Sequence, residues 1–172
     1  VSVIFNLLKL LKLSVYSYKN KAVISPLHLN KDISWLKIFN ALIQRYYENK
    51  RLTKLYRFQM QNPSLDVDYL YFPLHFQPER STTPEGMVFS NQLRAIELLR
   101  DSLPVSMAIY VKEHPRQFDS DGKIDLRKIA ARTNVFYNTI KNLPNTYLID
   151  IKTDANLLLK KAKIVSTITG SS

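Results

Sequence analysis

The sequence predicts an α/β fold built on a parallel sheet, and three observations predict it. From residue 68 onward, short β-type runs alternate with helical patterns in the order β-α-β-α-β-α-β. That order argues for parallel strands joined by right-handed crossovers. Two of the runs, Tyr71-Phe-Pro-Leu-His-Phe-Gln-Pro-Glu79 and Tyr110-Val-Lys-Glu-His-Pro115, start apolar and end in ionisable residues and proline. A strand that is buried on both faces and releases functional groups at its carboxyl end reads this way. The third observation is the charge split. Residues 1–60 hold 11 Lys/Arg against 2 Asp/Glu, or +9; residues 61–172 hold 14 against 12, or +2. The basic part is therefore distinct from the nearly balanced α/β part.

The elements follow in order. Residues 3–18 place apolar residues at helical spacing, with Lys9 and Lys12 on the wetter side. Pro26 and its polar neighbours break the pattern. A second helix is expected to start at Asp32 or Ser34, either of which can cap it. It runs through Trp35, Phe39, Leu42 and Tyr46 toward Tyr56, carries Arg45, Lys50, Arg51, Lys54 and Arg57, and closes at Asn62-Pro63-Ser64. Strands are expected over 68–75, 105–111, 146–151 and 164–168, and helices over 90–103, part of 125–143, and 154–161. The helix over 125–143 is expected to break near 133–135. Loops cover 77–87 and 114–122, and Pro104 stops the helix before it. Two domains result: a basic helical segment over 1–65 and a partial α/β domain over 66–172. Both ends read as cut, so the chain is expected to be a piece of a longer protein.

Composition excludes several classes. The chain has 172 residues, 45% hydrophobic, and can bury a core. With 3 glycines it has neither a G-x-G-x-x-G nor a Walker A pattern. Without cysteine it has no disulfide or thiolate site, which fits a reducing compartment. No apolar run is long enough to span a membrane. His28, His75 and His114 lack metal-ligand spacing, and no G-x-S-x-G is present. Asp119, Asp121, Gly122 and Asp125 read as a solvated turn rather than a calcium loop.

Parallel strands share one carboxyl edge, so His75, Gln77 and Glu79 are expected beside Lys112, Glu113, His114 and Pro115. Thr153 and Asp154 join from the third strand, and Thr167, Thr169, Gly170, Ser171 and Ser172 from the fourth. His114 can donate to a phosphate oxygen, with Pro115 fixing the turn; the plainer alternative is a loop cap. Lys112 and Glu113 read either as ligands or as a solvated pair at the rim. Gln77 suits a base edge or sugar hydroxyls, and Glu79 either a hydroxyl or an ion pair with Arg80 or Arg116. His75 reads as a ligand or as half-buried and satisfied by backbone. A Gly followed by hydroxyl residues after a strand offers an anion site, or an ordinary helix cap.

Together, Tyr71–Glu79, Val111-Lys-Glu-His-Pro115, Leu143-Pro-Asn-Thr146 and Ile164-Val-Ser-Thr-Ile-Thr-Gly-Ser-Ser172 resemble the bacterial capsular polysaccharide glycosyltransferases, relatives of capsule Kdo transferases and bacterial sialyltransferases. The resemblance spans roughly residues 66–172. It implies the first half of a Rossmann-like, donor-binding domain of a GT-B fold. It further implies that His114-Pro115 and Thr169, Ser171 and Ser172 meet the nucleotide phosphate, and that the donor is a nucleotide-sugar substrate with no cofactor or metal. A CMP-sugar is the first expectation and a UDP-sugar the second. The acceptor would be a glycan or lipid-linked glycan, in the cytoplasm or at the inner membrane through the basic helices, with no nucleic acid partner. The family's acidic catalytic motif is expected outside this chain, because Asp32 and Glu48 are the acids of the first 60 residues and neither sits in such a motif. Two rival readings are a nucleotide-sugar epimerase or hydrolase on the same fold, and a basic module that binds membrane or nucleic acid.

Overall fold

A computed structural model describes residues 8, 11, 12, 15, 35–77, 86–118 and 132–169. Within them the chain forms α1 (Trp35–Gln59), β1 (Tyr69–Pro73), α2 (Gln92–Ser102), β2 (Ala108–Lys112), α3 (Asn134–Asn142), β3 (Thr146–Ile149), α4 (Ala155–Lys161) and β4 (Ile164–Val165). Short 3-10 turns at Met87–Ser90 and Pro115–Gln117 precede α2 and follow β2. Leu8, Leu11, Lys12 and Val15 are also helical. The four strands pair in parallel in the order β3-β2-β1-β4. This is a Rossmann-like α/β fold, as the alternating pattern predicts.

The middle strands carry the sheet. β1 (YLYFP) and β2 (AIYVK) are buried along almost their whole length, which is why they read as continuous apolar runs. Their alternate residues face opposite layers. Leu70, Phe72, Ile109 and Val111 join Leu52 and Tyr56 of α1, Ile96 of α2, and Phe136, Tyr137 and Ile140 of α3. Tyr69, Tyr71, Ala108 and Tyr110 face the other way, toward Leu158 of α4. Three tyrosines form a row on that second face: Tyr69 stacks on Tyr110 at 4.4 Å, and Tyr110 meets Tyr147 edge-on at 6.0 Å. Their hydroxyls escape burial cost by bonding to backbone, Tyr69 to the Leu158 carbonyl and Tyr110 to that of Ser64, each at 2.8 Å.

Local chemistry sets the boundaries. Asn91, Thr133 and Asp154 each cap a helix by accepting from a backbone N–H, of Leu93, Phe136 and Asn156 respectively. Thr133 caps the start of α3, near the expected break at 133–135; the part of that expected helix before residue 132 lies outside the described residues. Arg100, at the last turn of α2, donates to the carbonyls of Leu103, Pro104, Met107 and Pro144, tying the helix end to the entries of β2 and β3. Asn145 takes a positive φ of 47° before β3, a conformation Asn tolerates.

Three expectations shift. The second strand starts at Ala108, not at residue 105, because Pro104 and the turn after it hold Val105 and Ser106 out of the ladder. The third strand ends at Ile149, where Asp150 opens a turn. The fourth strand is two residues long rather than five; it borders β1 alone and both residues are exposed. Gln61, just after α1, bridges to Ile149 and occupies the outer side of β3.

Candidate functional site

The sheet order creates a switch point. The chain builds from β1 to β2 to β3 in one direction, then returns past them to place β4 on the other side of β1. In open parallel sheets the crevice at the carboxyl ends of the two strands flanking such a reversal is where ligands bind. Here those strands are β1 and β4, and the residues beyond them are Leu74–Gln77 and Ser166–Thr169.

The segment after β1 is fixed without being a strand. The Leu74 N–H still donates to the Lys112 carbonyl at 2.8 Å. Beyond it two buried glutamines take over the role of a neighbouring strand. Gln92 accepts from the His75 N–H at 3.0 Å and donates to its carbonyl at 3.1 Å. Gln117 does the same for Gln77, at 3.0 and 3.3 Å. A primary amide offers the same donor and acceptor pair as a peptide group, so each side chain acts as one residue of ladder.

An ion pair locks this segment to the end of β2. Arg132 Nε donates to Glu113 Oε2 at 2.7 Å and a terminal nitrogen to Oε1 at 3.1 Å; the two side chains are 1% and 0% exposed. The guanidinium also reaches Gln77 Oε1 at 3.0 Å and the His75 carbonyl at 3.1 Å. Tyr137 Oη donates to Glu113 Oε2 at 2.7 Å, and the His114 N–H to Oε1 at 2.9 Å. Tyr56 Oη accepts from the Glu113 N–H and donates to the Ile149 carbonyl. Burial alone would lower the Arg132 pKa, but the charge and hydrogen bonds of Glu113 outweigh it and hold the guanidinium above its ordinary value. Burial, with the Glu113 charge beside it, keeps the Tyr137 phenol neutral far above its usual range.

The opposite side of the edge carries the imidazoles. His75 Nε2 lies 2.8 Å from Thr167 Oγ1, across the β1/β4 crevice. Thr167 Oγ1 also donates to the Thr169 carbonyl at 3.1 Å, while Thr169 Oγ1 is buried with no hydrogen-bond partner among the described residues. His114 caps the turn after β2: its Nδ1 accepts from the Arg116 N–H at 3.2 Å, and its ring lies 5.8 Å from that of Phe76. Pro115 is the first residue of that turn. Lys112 shares the face of Ala108 and Tyr110 and is 5% exposed. Burial lowers its pKa, and the nearby Asp150 and Asp154 carboxylates partly restore it.

The predicted residues thus fall into groups. His75, Thr167 and Thr169 come together at the switch point, with His114 and Pro115 at the adjoining strand end. Gln77 and Glu113 lie in the same edge but spend their polar atoms inside the protein. A solvated Lys112–Glu113 pair does not form: consecutive strand residues face opposite layers, and both side chains are buried. Glu79, Gly170, Ser171 and Ser172 lie outside the described residues. Sequence reasoning missed Arg132, Gln92 and Gln117. Glu113 carried a partial signal for the first, since an acid just past a buried apolar run needs a cation when it too is buried. A shallow cleft of about 290 Å³ exists among the described residues, lined in part by Ser106, Asn145 and Tyr147. It runs along the face of β2 and β3 that carries Tyr110 and Tyr147, and the Tyr110 hydroxyl bordering it already donates to the Ser64 carbonyl. Compared with protein-family models, curated proteins and solved structures, the chain matches none.

Proposed function

We propose that this chain supplies the donor-binding half of a glycosyltransferase of bacterial surface polysaccharide synthesis. It would take a nucleotide-activated sugar, CMP-linked in the first instance, and transfer the sugar to a glycan or lipid-linked acceptor. The observation that carries this reading is the pinned segment after β1, which holds the His75 imidazole 2.8 Å from Thr167 across the switch point. Three buried side chains, Gln92, Gln117 and Arg132, are committed to positioning a few residues of irregular chain. Such support is what a preformed binding site requires. The likeness of the strand-end motifs to capsular polysaccharide glycosyltransferases points the same way.

The chemistry fits the groups available. In transfer, the bond from the sugar's anomeric carbon to the nucleotide phosphate oxygen breaks, and a bond to the acceptor oxygen forms. Negative charge collects on the departing phosphate. Imidazole N–H and hydroxyl donors aimed at that oxygen stabilise it. On this reading His75, His114 and Thr167, all at the carboxyl edge of the sheet, supply those donors. The acceptor hydroxyl gives its proton to a general base. Glu113 is unsuited to that task, because both its oxygens already accept from Arg132 and from Tyr137 or His114. On this reading the base belongs to a facing domain.

Calorimetric titration of the 172-residue chain with CMP and with UDP tests the proposal. Saturable binding of either, weakened at least tenfold in His75→Ala and in His114→Ala, is expected, with CMP the tighter ligand. Absence of binding, or affinity indifferent to both substitutions, sinks it. Release of free sugar without acceptor glycosylation by the full-length protein would favour a hydrolase on the same fold.

A further inference from the structure

The outward face of α1 has a composition that the donor site does not use. Tyr47, the pair Lys50 and Arg51, Lys54, and the pair Arg57 and Phe58 recur at spacings of three and four residues, so they line one side of the helix. All six are exposed. The opposite side, Leu52, Tyr56 and Gln59, is buried against the sheet. Glu48 is the single acid in the 25 residues of α1, and it lies beside the stripe, 3.8 Å from Arg51. Phe58 is 82% exposed and Tyr47 57%, and they bracket the four cations. A lone exposed aromatic is unremarkable; two at the ends of a line of four cations, one of them beside Glu48, are a pattern.

We infer that this face docks on an anionic lipid bilayer. A straight helix sets the four cations along a line of roughly 10 Å, which a flat charged surface meets all at once. Cations near an anionic leaflet are drawn to it, and aromatic rings favour the headgroup boundary. Docking would hold the sheet edge beside lipid-linked acceptors, but the inference stands on the helix alone and does not need the donor-site reading.

Co-sedimentation of the full chain with vesicles tests it. Binding is expected to phosphatidylcholine vesicles containing phosphatidylglycerol, and not to phosphatidylcholine alone. Each cation removed is expected to lower partitioning about fivefold, so Lys50→Gln with Lys54→Gln loses roughly 25-fold. Phe58→Ser is expected to weaken binding while leaving its salt dependence unchanged. All three substitutions are at exposed positions, and circular dichroism checks that the fold is kept. Equal binding to neutral vesicles, no loss in the Lys50/Lys54 variant, or tighter binding to a single-stranded oligonucleotide than to anionic vesicles each overturns the inference. Loss of nucleotide binding without loss of vesicle binding would instead count only against the donor site.

Discussion

Replacing Arg132 with Met should cost about 3–5 kcal/mol of folding free energy. The figure follows from what the substitution leaves behind. Four hydrogen bonds from the guanidinium disappear, two of them to Glu113, and the carboxylate stays buried without its cation. Tyr137 and the His114 N–H still donate to it, which places the cost toward the lower end of the range. A domain of this size has a total stability of about 5–15 kcal/mol. The loss should lower the melting temperature by roughly 6–20 °C. Urea denaturation followed by circular dichroism measures it. Two further signatures separate this cause from lost packing. The deficit should shrink in mildly acidic buffer, because protonating the orphaned carboxylate removes the buried charge. Adding Glu113→Leu should recover part of the loss, with a coupling of about 1–3 kcal/mol. A deficit below about 1 kcal/mol that ignores pH, and strict additivity with Glu113→Leu, would refute the reasoning.

Three more outcomes are expected. Tyr71 is pushed up to about 12 by burial, and burial likewise raises Tyr69 and Tyr110. Their raised folded-state pKa values contribute stability that is intact below pH 10 and lost as pH rises toward 12, so Tyr71→Phe should move the alkaline unfolding midpoint upward; an unchanged midpoint in that variant would contradict this. Gln92→Leu should cost about 1–3 kcal/mol per backbone group left unpaired at His75 and weaken nucleotide binding, whereas Thr133→Ala should cost only about 1 kcal/mol and leave binding alone. Lys112→Met should not destabilise the chain at neutral pH, since burial already disfavours the ammonium; a large loss of stability would show that Asp150 and Asp154 hold the charge more firmly than burial opposes it.

The strands and helices were legible because their signals are local. Continuous apolar runs at β1 and β2, and the alternation of such runs with helical spacing, need only a few neighbouring residues to read. Strand lengths were not: β4 stops at Val165, two residues before its partner β1 ends, although β-branched residues continue beyond it. The edge was legible as a set of strand ends, which put His75 and Thr167 on one side of the sheet; that β4 borders β1 and makes them neighbours was not. What stayed hidden is the support beneath it. Gln92 and Gln117 sit in sequence as ordinary helix and turn residues, and Arg132 as one cation among 25. Their roles arise from contacts across 17, 40 and 57 positions, which no periodicity encodes. Glu113 shows the converse: its position was right and its work was misjudged, because a strand end does not announce which layer each residue enters.

The two glutamine clamps make the crevice mechanically lopsided. On the β1 side, the amide protons of His75 and Gln77 are held by side chains and should exchange with solvent as slowly as those of a strand, though the segment has no regular structure. On the β4 side, a two-residue strand with Ile164 and Val165 exposed is held to β1 by backbone bonds from Lys163 and Ser166 and by the Lys163–Asp68 ion pair, ties that lie nearer to solvent than the glutamine clamps. One wall is an anvil and the other a hinge leaf. A guest entering between His75 and Thr167 must break their 2.8 Å contact, and the give will come from Thr167. Closure, where it happens, is then a movement of β4 toward a fixed imidazole, and substitutions that stiffen β4 should slow ligand exchange more than any made on β1.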